Sequence, residues 1–139
     1  MRRRLLLVLL VGAALTAVPI TLASTQASTL ALSIVHTVRG CHVWSTGSQT
    51  LGPTATISLK PGAKLKIRGT CPMDFDLMQT AGPKLALGGT RLYTGTTRTL
   101  VFRKAGVYKL MAKNVQTSEE AGLQTLGEDN SLRLTIRVR

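Results

Sequence analysis

The sequence predicts an all-β sandwich of Greek-key type preceded by the apolar helix of an export signal, and three observations carry that expectation. An arginine cluster at Arg2, Arg3 and Arg4 is followed by an apolar run from Leu5. Beyond residue 27, apolar and polar residues alternate with a period of two, the pattern of strands with one buried face. Gly and Pro punctuate these segments at short intervals, and helical periodicity is almost absent, which describes two packed sheets or a small barrel.

The N-terminal segment has the layout of a secretory signal. Its basic start leads into a run from Leu5 to Leu15 that continues through Ala17, Val18 and Ile20 to Ala23. Small residues then offer cleavage after Ala23 or after Ala27, so residues 1–27 are read as signal peptide and 28–139 as one domain. The run approaches the length of a membrane span, but Pro19 lies near its end and no basic stop-transfer flank follows. Cleavage is therefore expected, with no membrane span in the mature protein and a secreted or cell-envelope location. With at most 116 residues in one unit, a single modest core is expected.

Strands follow one another along this domain. Leu30, Leu32, Ile34 and His36 share one side of the first, and Cys41 to Trp44 forms a short second piece after Gly40. Ala55, Ile57 and Leu59 face inward from a strand that the Pro61-Gly62 turn connects to another, with Ala63, Leu65 and Ile67 inward and Lys64, Lys66 and Arg68 outward. Residues 54–68 are thus read as a hairpin. Phe75 and Leu77 start a further strand, and 84–96 reads as a loop with a weak strand at Leu85–Leu87. Leu100 and Phe102 mark the next strand, and Lys104-Ala105-Gly106 turns the chain into Val107–Lys113. Ser118 and the acidic pair Glu119 and Glu120 fit a helical turn over Ser118–Leu123. The last strand is the clearest, with Leu132, Leu134, Ile136 and Val138 on one face and Arg133, Thr135 and Arg137 on the other.

Losing Arg2–Arg4 with the signal leaves 15 Lys and Arg against 6 Asp and Glu, a side-chain charge of +9. Such a domain is expected to be drawn to anionic surfaces: an anionic cell-surface polymer, lipid headgroups or acidic polysaccharide. Nucleic acid is not expected, since aromatics are 4% of the chain and no basic run alternates with stacking residues. The cations come one or two at a time along strands, the ordinary pattern of a solvated sheet face.

The two cysteines, Cys41 and Cys71, are first read as a disulfide, because an exported pair meets an oxidising compartment. The closed loop would contribute about 3 to 4 kcal/mol on a chain-entropy basis. Two alternatives stay open: free thiols, or a soft-metal site for copper built from Cys41, His42, Cys71 and Met73. His36 and His42 otherwise read as satisfied, partly buried histidines, and Met78 and Met111 as core filler. Trp44 is expected to pack near the disulfide. No catalytic residues are assigned. Asp74 and Asp76 alternate on one strand without a distant partner, and no serine lies in a nucleophile turn.

The phrase from Leu100 to Leu110, Leu-Val-Phe-Arg-Lys-Ala-Gly-Val-Tyr-Lys-Leu, resembles the strand pair before the copper loop of small secreted cupredoxins, with their F-x-x-x-G-x-Y-x-F pattern. The closing strand, the 54–68 segment and the stretch from Cys71 to Gln79 extend the resemblance over roughly 30–139. It implies a cupredoxin-like sandwich. In the family, one copper-binding His lies in the central turn, and Cys, a second His and often Met follow the Gly-x-Tyr strand. Here Phe75 stands where that His is sought, and no Cys or His occurs from 72 to 139. The expectation is therefore a non-enzymatic binding or structural module without a type 1 copper site and with no cofactor. Gly-x-Tyr before a final strand also occurs in immunoglobulin-like domains, so an adhesin for anionic wall polymer is a further alternative.

Overall fold

A computed structural model describes residues 27–37, 42–70, 73–115 and 131–139. Two five-stranded sheets face each other. The first runs β3 (Thr50–Gly52), β2 (His42–Ser45), β1 (Thr29–His36), β5 (Lys64–Gly69), β8 (Thr97–Val101). The second runs β4 (Thr54–Leu59), β10 (Ser131–Val138), β9 (Gly106–Val115), β6 (Asp74–Ala81), β7 (Arg91–Leu92). Strands distant in sequence pair in parallel, β1 with β5 and β10 with β4, while the remaining pairs are antiparallel. The chain passes repeatedly from one sheet to the other, so the sandwich expected from the alternation is what forms.

The inward rows fall where period two places them. Leu32 and Ile34 of β1, Leu65 and Ile67 of β5, Phe75 and Leu77 of β6, Leu110 and Ala112 of β9, and Leu132, Leu134, Ile136 and Val138 of β10 are all buried in one core. Removing this apolar surface from water is the main source of stability. Tyr108, buried in the same core, donates its hydroxyl to the Lys104 carbonyl at 2.7 Å and so ties the Lys104–Gly106 turn to β9.

Three expectations are corrected. Residues 54–68 are not a hairpin: β4 hydrogen-bonds β10 in the second sheet, and β5 lies between β1 and β8 in the first. The Pro61-Gly62 turn is real, closed by the Ala63 amide on the Lys60 carbonyl at 3.0 Å, with Gly62 at φ 85° as the third residue of a type II turn requires. It arches over the core from sheet to sheet. Leu85–Leu87 is not a strand. Both leucines pack on the core from a loop, and the short strand of this region is Arg91–Leu92, held to β6. Met78 and Met111 are not core filler, because they face each other across β6 and β9 on the outer side of the second sheet, half-buried.

The proposed turn at Ser118–Leu123 lies outside the described residues, as do the signal segment 1–26, Cys41 and Cys71. Among the described residues, no helix is long and apolar enough to cross a membrane.

Candidate functional site

Chemically distinctive side chains gather at one end of the sandwich, and strand register puts them there. β1 and β2 run antiparallel with His36 opposite His42 as their outermost pair. Both side chains continue the inner row of their strands, past Ile34 and Trp44, to the mouth of the core. Their rings meet edge-to-face with centroids 5.1 Å apart, and His36 Nδ1 lies 3.4 Å from His42 Nε2. His42 is buried and His36 exposed, which corrects the reading of both as partly buried.

Across the core His42 packs edge-on against Phe75 of β6, centroids 5.2 Å apart. Phe75 is paired in turn with Asn114 of β9. Asn114 is only 8% exposed and donates Nδ2 to the Met73 sulfur at 3.5 Å, and its Oδ1 is buried without a hydrogen-bond partner among the described residues. Two imidazoles, a thioether and an amide oxygen thus share one end. Burial first, and the neighbouring His36 second, lower the His42 pKa from its ordinary 6.5, so His42 favours the neutral form that can accept a hydrogen bond or a metal.

Of the residues singled out in the sequence, the structure brings His42 and Met73 to the same end. Cys41 and Cys71 lie outside the described residues, so their bonding state is not placed. The residue before Cys71 is well anchored: Thr70 donates both its amide, at 3.3 Å, and its hydroxyl, at 2.7 Å, to the Ile34 carbonyl. Trp44 is fully buried and donates its indole N–H to the Arg133 carbonyl of β10 at 3.1 Å, linking the two sheets. Asp74 and Asp76 both bind Arg91, at 3.4 and 2.9 Å, with Lys113 opposite Asp76 across β6 and β9, and this half-exposed cluster is a surface ion-pair group. Among the described residues there is no group of three or more His, Cys, Asp or Glu arranged to hold a metal.

Sequence reasoning missed the His36–His42 contact and Asn114. The first was within reach, since His36 and His42 flank a short connection containing Gly40. Asn114 carried no sequence signal, because an Asn at the end of a strand ordinarily faces water.

No family model and no curated protein matches this chain. Its strand arrangement is similar to that of solved cupredoxins. A mutant amicyanin in its reduced state matches at 14% identity over 80% of this chain and 82% of its own, with a TM-score of 0.46. A purple cupredoxin from Nitrosopumilus maritimus matches at 14% identity over 76% and 97%, TM-score 0.45. Amicyanin from Paracoccus versutus matches at 15% identity over 84% and 87%, TM-score 0.43. At such scores the likeness carries no weight of its own, and the sandwich stands on the pairing and register described above.

Proposed function

We propose that this chain is an exported, non-enzymatic binding module on a cupredoxin-like scaffold, without a type 1 copper site in the usual position. One observation carries the reading. Phe75, where the family resemblance seeks a histidine, is a core side chain only 1% exposed, packed between His42 and the β9 strand. Along β9 the residues after Tyr108 are Lys109, Leu110, Met111, Ala112, Lys113 and Asn114, and the sequence holds no Cys or His from 72 onward. A trigonal set of one thiolate and two imidazoles does not fit there. Export is supported by Arg2–Arg4 and the apolar run behind them.

The test is to add copper to protein purified from its native compartment and to count its thiols. The expected result is no intense blue copper–thiolate absorption and no free thiol, with Cys41 and Cys71 joined. A blue band would overturn the reading.

A second reading, copper held by Cys41, His42, Cys71 and Met73, gains from the short His36–His42 approach and from Met73 being fixed by Asn114 at that end. Thioether and neutral imidazole suit copper(I), and a thiolate from either cysteine would complete a soft set. This reading expects two free thiols and copper(I) uptake that His42→Ala and Met73→Leu each weaken. Uptake indifferent to both substitutions would rule it out.

A further inference from the structure

The cations that look scattered in the sequence are collected by the fold. Lys64, Lys66 and Arg68 stand exposed in one outward row on β5, about 6.6 Å apart along the strand. Register places Thr29, Ala31 and Ser33 of β1 on one side of them and Val101, Thr99 and Thr97 of β8 on the other. Beyond β8, Thr99 and Val101 also form a wall of a cleft of about 520 Å³ that carries Lys84, Arg103 and Lys104. Six cations therefore border this face and the cleft beside it.

No side-chain carboxylate among the described residues shares that surface. Asp74 and Asp76 are on the second sheet and bound to Arg91. The four other acids, Glu119, Glu120, Glu128 and Asp129, belong to 116–130, outside the described residues, and the residues flanking that segment, Val115 and Ser131, are both on the second sheet. A row of cations with no facing acid among the described residues repels itself and recovers that energy when anions bind.

We infer that the outer face of the first sheet is the docking strip of the module for a linear phosphodiester polymer of polyol-phosphate type. This rests on the binding-module reading and names its partner. A charge recurring at every second residue of a straight strand matches an extended chain that repeats its phosphate at a similar interval. Lysine serves phosphate as a point charge, and the neighbouring Thr and Ser hydroxyls are donors for the diester oxygens. A membrane surface fits less well, because Val107, 49% exposed, is on the second sheet, and Tyr93, 52% exposed beside Gly69 at the end of the row, is a single ring with little to insert. Nucleic acid fits less well because successive bases need a series of stacking rings, and the described aromatics near these cations are Tyr93 at one end of the row and the buried Tyr108 in the cleft.

The experiment measures binding of natively purified protein to soluble poly(glycerol phosphate) over a series of salt concentrations. Two variants of equal charge change are compared, with unfolding midpoints as a check on folding. Lys64→Gln/Lys66→Gln/Arg68→Gln removes the strip, and Lys109→Gln/Lys113→Gln/Arg137→Gln removes three cations from the second sheet. The expected result is affinity that falls steeply with salt, drops about a hundredfold in the first variant at low salt, and changes only a few-fold in the second. Equal losses in both variants would mean that net charge alone binds, and would overturn the assignment. So would tighter binding to anionic vesicles or to single-stranded DNA of equal charge. If no polymer binds and copper gives no blue band, the docking inference fails while the non-copper module stands; a blue band would remove both.

Discussion

At the scale of single residues, His42 is the side chain whose environment departs furthest from what its type suggests. A buried neutral imidazole opposes protonation, so the folded form takes up its proton at lower pH than the unfolded chain does. Stability from this group is complete above the ordinary value of 6.5 and is lost as pH falls below it, until the folded imidazole also protonates. Urea unfolding of metal-free protein between about pH 7 and about pH 5 should show a falling midpoint, and His42→Gln should flatten that part of the curve. Identical curves for the two proteins would show that burial of this ring is not what titrates. Asn114 belongs to the same scale: its Oδ1, without a partner among the described residues, and its bond to Met73 are legible only in three dimensions, because nothing in the local sequence distinguishes it from a solvated strand-end amide.

At the scale of elements, turns decide which sheet a strand joins. Pro61-Gly62 was legible as a turn, but its direction was not, since a row such as Ala63, Leu65 and Ile67 faces the core equally well from either sheet. Close approach marks Gly82, with φ 103°, where an added Cβ would collide with the Val107 carbonyl oxygen and sit 2.8 Å from Tyr108 Cα. Gly82→Ala is therefore expected to lower stability by about 2 to 3 kcal/mol, as backbone strain and a forced shift of β9 add. Gly88, at φ 66° with nothing within 4 Å of an added Cβ, provides the comparison, and Gly88→Ala should cost about 1 kcal/mol. Denaturant titration of both variants checks the difference. Equal losses would mean that the Gly82–β9 contact is soft.

At the scale of the whole molecule, two sheets share one interior, and the last strand lies inside the second sheet rather than at its edge. β10 is hydrogen-bonded on both sides, to β4 and to β9, and its inner row faces the first sheet. Ile136→Ala, at a position with no solvent exposure, should cost about 2 to 5 kcal/mol while leaving one cooperative unfolding transition. Calorimetry giving two transitions would show that the sheets unfold separately. Charge is also divided at this scale. The first sheet carries Lys64, Lys66 and Arg68 with no described acid on its outer face, whereas the second holds the Asp74–Asp76–Arg91 cluster.

Amino-acid order alone determined the signal-like layout of the N-terminus, the period-two strands, their inward rows, the Pro61-Gly62 turn and the lack of Cys and His beyond residue 72. These are local properties: side-chain type, alternation and backbone preference act over a few residues and need no partner to be read. Tertiary structure alone decided that β4 and β5 part to different sheets, that Met78 and Met111 face outward, that His36 meets His42, and that cations spread from 64 to 104 border one face and the cleft beside it. Each of these depends on which distant strands pair. That choice is made by the summed burial of all the rows together, a quantity no short stretch of sequence contains.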